Sequence, residues 1–511
     1  MPFSIYPAGN LVPGVYHELN TVRANTAVNF NVRTLLIGQM MAGGTAVANL
    51  PLLVSSGDYN TLFGAKSQLA AMVQTYRQRD TFGEIWALPL ADDGGAVAAT
   101  APITVTGNAT SAASMALYTG GNRYPFNVAS GDTPAVALTK LLVAMCNKPR
   151  AVEVKIGTKV LTLSDPANPG LCTDATTSPI TSPISIVACN LGAAGNAMGL
   201  ALNHRGQPAG ETMPAGQTWS AGTPTGGATN PVLTTGLANL ADQKFGVIAL
   251  PYQDSVSLDA MKAFLNDTTG RWAWSKAIFG HCVTAFPGTT SAAATFAAGR
   301  NDQHLSAVSY VGSPDPVWEW TAAFAAAVAE STRADPALPV TSTYLNVETP
   351  AMSNRATISE MNTLLYAGIS TWRAGDDNAA SLDRVVTTYT KTNGADDTSY
   401  RDYETPATID YILTDMRSKL ATRFKRCKLV SDNSILPGSA TNVATPRDVK
   451  AYVVSLYRGY QDNLQIVQNA DAFAKAVQVF DRGSGRIDII VPADLSNQLR
   501  TMAIEFQFAK P

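Results

Sequence analysis

A chain of 511 residues with a formal net charge of −2 is long enough for two to four domains and a large core, and it carries no global basic field to hold nucleic acid. Charged residues make up only 15%, and 39 glycines and 29 prolines accompany abundant Ala, Thr and Ser, which gives a polar, weakly charged surface suited to burial against copies of itself. Five dispersed cysteines (Cys146, Cys172, Cys189, Cys282, Cys427) without a C-x-x-C argue against a disulfide framework or zinc site and fit reduced thiols in a cytosol better. The first residues lack the basic and apolar regions of a signal peptide, and the most apolar run, AAFAAAVAE, is too short to insert into a membrane.

In chain order, residues 1–28 read as an extended arm. Pro2, Pro7 and Pro13 block helix, and in VYHEL the side chains of Val15, His17 and Leu19 alternate with Tyr16 and Glu18. RTLLIG (33–38) reads as a buried strand. Residues 58–79 read as one helix capped by Asp58, with Leu62, Leu69, Met72, Val73 and Tyr76 near helical spacing, and EIWALPL (84–90) as a second strand. Strand, helix, strand predicts a βαβ unit and a partly parallel sheet.

Composition shifts near Asp92 towards Ala, Gly, Thr, Ser and Pro. Residues 98–242 read as an inserted, mostly β domain facing outward, with strands in PITVTG, VEVKIGTKVLTL and SPISIVAC and one helix, TPAVALTKLLVAMC. The buried-strand signal resumes at 244–254, followed by helices over 257–266, 291–299 and 315–332 and a strand, VVTTYT, over 385–390. A helix over 408–429 carries an apolar stripe of Ile409, Ile412, Leu413, Met416, Leu420 and Phe424. Another helix starts at Pro446 with Thr445 as N-cap, and AKAVQVF and GRIDIIV flank DRGSG as a hairpin. At the end of the chain, Met502, Ile504, Phe506 and Phe508 alternate with Ala503, Glu505 and Gln507, the pattern of a strand with one buried face.

The fold class is therefore mixed α/β (α+β). A discontinuous body (29–97 and 243–499) carries a β-rich insertion (98–242) and strand arms at 1–28 and 500–511.

Motifs for chemistry are sparse. GDYNTLFGAKS has the wrong spacing for a phosphate-binding P-loop, because Ala65 separates Gly64 from Lys66. HELNT at 17–21 has Thr21 where a zinc-protease helix needs its second His. GHC sets His281 beside Cys282, but strand neighbours point apart, so a nucleophile–base pair would need His304 or His204 instead; a buried structural thiol is the simpler reading. GSG at 483–485 lacks both the dinucleotide-binding pattern and its helix. No catalytic residue, metal site or cofactor is expected, and the rival reading is an α/β enzyme with a β-rich accessory domain. Arg417, Lys419, Arg423, Lys425, Arg426 and Lys428 crowd the end of the 408–429 helix. They either complement the helix dipole or face an acidic partner.

RADPALPV (333–340), ISEMNTLLYAGIST (358–371) and RVVTTYT (384–390) occur in an order that resembles the tail sheath proteins of contractile-tailed phages, especially the Mu-like group. GRIDIIVPADLSNQLRTMAIEFQF resembles that family's C-terminal segment, and VPGVYHELNTVRA (12–24) its N-terminal arm. GAAGNAMGL (192–200) is similar to a stretch of sheath insertions, but the rest of 98–242 has little match.

The resemblance implies a structural subunit that stacks in homo-oligomeric rings around a tail tube and uses no nucleotide. It would be metastable when extended and contract on a baseplate signal to drive the tube through a bacterial envelope. It further implies strand exchange through the two arms, a tube-facing part near 385–499, and baseplate and tail-terminator partners. The expected location is the virion, with assembly in the host cytoplasm. The sheath of a phage-derived bacteriocin or injection apparatus has the same sequence logic.

Overall fold

The computed structural model describes residues 32–55, 57–146, 152–156, 159–161, 180, 182–433 and 442–509. Val15, Tyr16, His17, Glu18 and Leu19 of the expected N-terminal arm lie outside these, as does Cys172. The described chain divides into two compact units, residues 32–415 with 497–509, and residues 416–496.

The larger unit opens with β1 (Arg33–Gln39) and the short β2 (Leu52–Leu53). The expected helix over 58–79 is in fact two, α1 (Tyr59–Phe63) and α2 (Gln68–Arg79). Gly64, at φ +84°, ends the first, and a Cβ there would meet the Met41 side chain at 2.8 Å. Ser67 then caps the second by accepting from the Ala70 amide at 3.1 Å, while Asp58 makes no side-chain cap.

β3 (Glu84–Leu90) runs parallel to β1, with Leu35 opposite Trp86. β4 (Thr100–Thr106), β5 (Ala113–Thr119) and β6 (Asn122–Val128) follow. Gly120 and Gly121, both at positive φ, turn β5 into β6 as a two-residue hairpin. After α3 (Pro134–Cys146) come β7 (Val152–Ile156), β8 (Lys159–Leu161), β9 (Ile184–Ala188), β10 (Leu200–Leu202), β11 (Thr218–Ala221) and α4 (Thr234–Asn239).

Between residues 100 and 221 the strands form two antiparallel sheets of their own, β10-β5-β6 and β11-β4-β9-β7-β8. Their inward residues, among them Ile103, Leu117, Tyr124 and Ile186, share one apolar core with Leu36 and Ile85 of the α/β sheet.

The chain returns to that sheet through β12 (Val247–Ala249), α5 (Ser255–Leu265), β13 (His281–Pro287), α6 (Thr290–Arg300) and β14 (Leu305–Tyr310). Asp254 and Thr289 cap the two helices by accepting from Ser257 and Ala292 amides. The six strands order as β14-β13-β12-β1-β3-β2, parallel throughout except for β2. Burial on both faces explains their near-continuous apolar sequence.

α7 (Val317–Ala334) lies fully buried from Val317 to Ala329, packed against α2 and β13. Only Glu319 and Thr321 interrupt the apolar residues of this buried stretch, and its alanines let both neighbours approach closely.

α8 (Ile358–Ala367) has a capping box of Thr357 and Glu360, and β15 (Thr371–Ala374) pairs with β16 (Ala380–Arg384). The expected strand over 385–390 is instead a line of isolated bridges. Thr387 pairs with Ser306 on one side and its amide donates to Arg401 O at 2.8 Å on the other, while the Thr388 amide donates to Leu305 O. The segment builds no regular ladder with either neighbour, but it covers the open edge of β14. A two-residue ribbon, β17 (Lys391–Thr392) and β18 (Ala395–Asp396), precedes α9 (Glu404–Phe424).

The division between units falls within α9. In the smaller unit, β19 (Lys428–Leu429) pairs with β20 (Val443–Ala444). α10 (Pro446–Gly459) starts with a Thr445–Asp448 capping box and buries Val449, Val453, Leu456 and Tyr457. α11 (Ala470–Ala476) stacks Phe473 on Tyr457 at 3.7 Å. β21 (Gln478–Asp481) and β22 (Ile487–Ile490) form the expected hairpin, with Gly483 and Gly485 at positive φ in its loop.

Candidate functional site

In an open parallel sheet, ligands bind outside the strand carboxyl ends at the point where strand order reverses. Here the chain starts at β1, steps to β3 on one side and resumes at β12 on the other, so that point lies between β1 and β12. The insertion fills it. Asn190 accepts from the Gln68 amide at 2.8 Å and donates to Met40 O and to Asp92. Asp92 also accepts from Gln39 Nε2 and from the Leu191 amide, and Tyr252 donates to Gln68 Oε1. The space left among Gln39, Gln68, Asn190 and Trp318 is about 10 Å³, room for one water at most.

The residues offered for an enzyme do not assemble. Cys282 is fully buried, and burial pushes its thiol up, away from the thiolate a nucleophile needs. Its amide donates to His304 O, a ladder contact. The His304 ring turns to Asp267, at 2.7 Å, and stacks on Trp272, while His281 bonds Ser306 Oγ at 2.9 Å. His204 bonds Thr349 O. Burial, with His304 nearby, pushes the His281 imidazole well below its ordinary range, so it sits neutral.

A cleft of about 1180 Å³ beside β15 and α8 is lined by Tyr310, Met361, Trp372 and Arg355, among others. Its one carboxylate, Glu360, is occupied in the capping box of α8. Among the described residues, no group of three or more His, Cys, Asp and Glu side chains is placed to hold a metal ion.

Two surface features remain. Residues 501–509 form no strand and are exposed throughout. Met502, Ile504, Phe506 and Phe508 are 76%, 88%, 83% and 74% exposed, and the Phe506 and Phe508 rings lie 6.2 Å apart, on one side as in an extended strand. Within the described residues this row of four large apolar side chains has no cover.

The basic cluster is the second feature, and its backbone differs from expectation. α9 ends at Phe424 instead of reaching 429, and Arg426 takes a left-handed conformation (φ +70°) that terminates it. Arg417, Lys419 and Arg423 thus lie on the helix, Lys425 and Arg426 in the turn, and Lys428 in β19. All six are exposed. Lys419 sits 5.6 Å from the Tyr460 ring centroid. Among the described residues, Arg423, Lys425, Arg426 and Lys428 form no ion pair with the chain's own acids.

A family model for the phage tail sheath protein central domain matches residues 226–388, which hold β12 to β14. Over 520 aligned positions the chain is 31% identical to the Mu-like prophage FluMu tail sheath protein of Haemophilus influenzae, with 99% of each covered. The chain belongs to the phage tail sheath protein family. Solved structures also align along the length of this sheath protein. The sheath tail protein of Desulfitobacterium hafniense covers 95% of this chain and 97% of its own, at 13% identity and a TM-score of 0.48. The contracted helical sheath of the anti-feeding prophage aligns over 98% and 99%, at 12% identity and a TM-score of 0.44. The protein is thus a structural sheath component of a phage or phage-like particle.

Proposed function

We propose that this sheath subunit polymerises around a tail tube by donating its C-terminal strand to the next copy, and that the polymer contracts to drive the tube through a bacterial envelope. The observation that carries the reading is the apolar alternation of Met502, Ile504, Phe506 and Phe508 on a segment its own chain leaves uncovered.

The acceptor we favour is the β21–β22 hairpin. Among the described residues it has no third strand, its Phe480 and Ile490 are exposed, and its open edges leave amides and carbonyls for a further strand. Magnitudes favour side chains over backbone. Each strand hydrogen bond adds about 0.5–1.5 kcal/mol net, whereas burying each large apolar side chain adds about 1.5–3 kcal/mol. One donated strand is a modest tether, and repetition in every subunit makes a tough mesh because each further contact is effectively intramolecular. Residues 15–19 supply the matching N-terminal strand.

The basic cluster faces an acidic tube surface, the insertion faces outward, and baseplate and terminator proteins close the ends. Two packings of one subunit, the second lower in free energy behind a barrier, store the contraction without a cofactor. The filled crevice between β1 and β12 supports a structural rather than a catalytic role. Assembly takes place in the host cytoplasm. Negative-stain microscopy of purified subunits, alone or with tube protein, tests the reading: helical tubes are expected, and dispersed monomers under all conditions overturn it.

A further inference from the structure

The exposed tail begins abruptly. Arg500, the residue before it, has a side chain only 13% exposed. Its Nη2 donates to Glu404 Oε2 at 2.6 Å and lies 3.3 Å from Asp402 Oδ1. Glu404 is completely buried in the first turn of α9, and its other oxygen accepts from the Val340 amide at 2.8 Å. Asp402 is held from its other side by the Arg384 guanidinium at 2.8 and 3.0 Å. Two residues earlier, Gln498 donates to Ala337 O at 3.2 Å. From Thr501 onward, among the described residues, the only hydrogen bond joins two tail side chains, Gln507 and Glu505.

We propose that Arg500 is the anchor of the C-terminal strand, a positioning residue that fixes where the strand leaves its own subunit and through which a pull on residues 501–509 reaches the body. The proposal rests on the reading that this strand is donated to a neighbour. The chemistry suits the task. A guanidinium on a buried carboxylate is a charge-assisted, directional contact, stiffer than the apolar packing of a flexible end. It enters at the start of α9, a 21-residue helix, and Val340 and Arg384 tie the same acidic pair to two further segments. Slack is thereby confined to the residues after 500. When subunits move between two packings, the distance a donated strand can follow is set by those residues alone.

The full-length chain offers a direct probe. Beyond Arg500 the only basic residue is Lys510, which Pro511 shields from trypsin, so cleavage after Arg500 releases one peptide, 501–511. Glu404→Gln keeps an acceptor for the Val340 amide but removes the charge that holds Arg500. It should release that peptide at least about tenfold faster than wild type, because cleavage follows the open fraction of the site. Cleavage at the exposed Lys425 and Arg426 serves as the internal standard and should not change. Glu404→Asp, which restores the charge, should slow the release again.

In polymers, Glu404→Gln subunits should still form tubes but shed subunits or break into shorter pieces on contraction. Equal release rates for wild type and Glu404→Gln, or variant tubes that survive contraction at full length, overturn the anchor. Deleting 501–511 separates the two ideas. Normal assembly of the deleted chain sinks strand donation, while the proteolysis result tests Arg500 on its own subunit.

Discussion

α7 and the C-terminal tail are both rich in apolar residues, and they meet opposite ends. From Val317 to Ala329 the helix is buried on every side by its own chain, whereas residues 501–509 are exposed along their whole length. A helix satisfies its backbone internally and needs only apolar cover. A lone strand offers unpaired amides and carbonyls as well as apolar side chains, so it needs both a ladder and a lid. Exposure separates the two elements where composition does not, and on the proposed function the tail is the one completed by another copy.

Four experiments press on this contrast, from the largest effect to the smallest. Removing 501–511 should abolish tube formation in microscopy while leaving the subunit's melting temperature unchanged; a large fall in that temperature would mean the tail is covered at home. Trp320→Ala should do the reverse, costing about 3–5 kcal/mol of subunit stability in chemical denaturation. That ring is fully buried, stacks on Tyr310 at 4.4 Å and donates to Ser313. A stable Trp320→Ala subunit would show that α7 is less tightly packed than its burial implies.

Acid supplies a third lever on the buried interior. The His281 imidazole is pushed below its ordinary 6.5, first by burial and then by His304. Below pH 6.5 the unfolded chain takes up a proton that the folded chain refuses, so stability is full above that pH and falls as pH drops. The slope from this one group is about 1.4 kcal/mol per pH unit. His281→Gln should flatten the curve between pH 6.5 and 5.5, and an unchanged slope would assign the acid sensitivity elsewhere. Last, reversing charge at Arg423 and Arg426 should weaken tube association by about 0.2–1 kcal/mol per site, an effect erased by salt. Normal association at low salt would leave these residues as helix-end cations only.

Sequence periodicity made much of the frame legible. β1, β3, α5, α10 and the β21–β22 hairpin lie where alternation, helical spacing and caps put them. The failures have local physical causes. The helix over 58–79 splits because Gly64 adopts a left-handed turn that helical spacing alone does not reveal. The β5–β6 hairpin is only faintly written in the sequence, because ASMALYT alternates weakly and Gly120–Gly121 alone marks the turn. VVTTYT has strand composition, but its Thr388 and Thr387 amides make single contacts to Leu305 on one side and Arg401 on the other, with Leu305 distant in sequence. The basic helix stops short of 429 because Arg426 takes a positive φ, which neither helical spacing nor the helix propensity of Lys and Arg reveals.

The exposed row at the tail was fully legible as a pattern. Its anchor was not, because Arg500 and Glu404 meet across 96 residues of chain. Nor was the filling of the crevice, which brings Asn190 to Met40 across 150.

The tail and the β21–β22 hairpin differ in kind, one a lone extended segment and the other a ribbon with open sides. A bond between unlike patches is heterologous, so making it once leaves a spare donor at one end of the pair and a spare acceptor at the other. Unless two copies exchange tails reciprocally, growth ends only in a larger closed ring or at a boundary imposed from outside. On the proposed strand donation, this bond alone sets no length for the assembly, and a ruler would have to come from a partner.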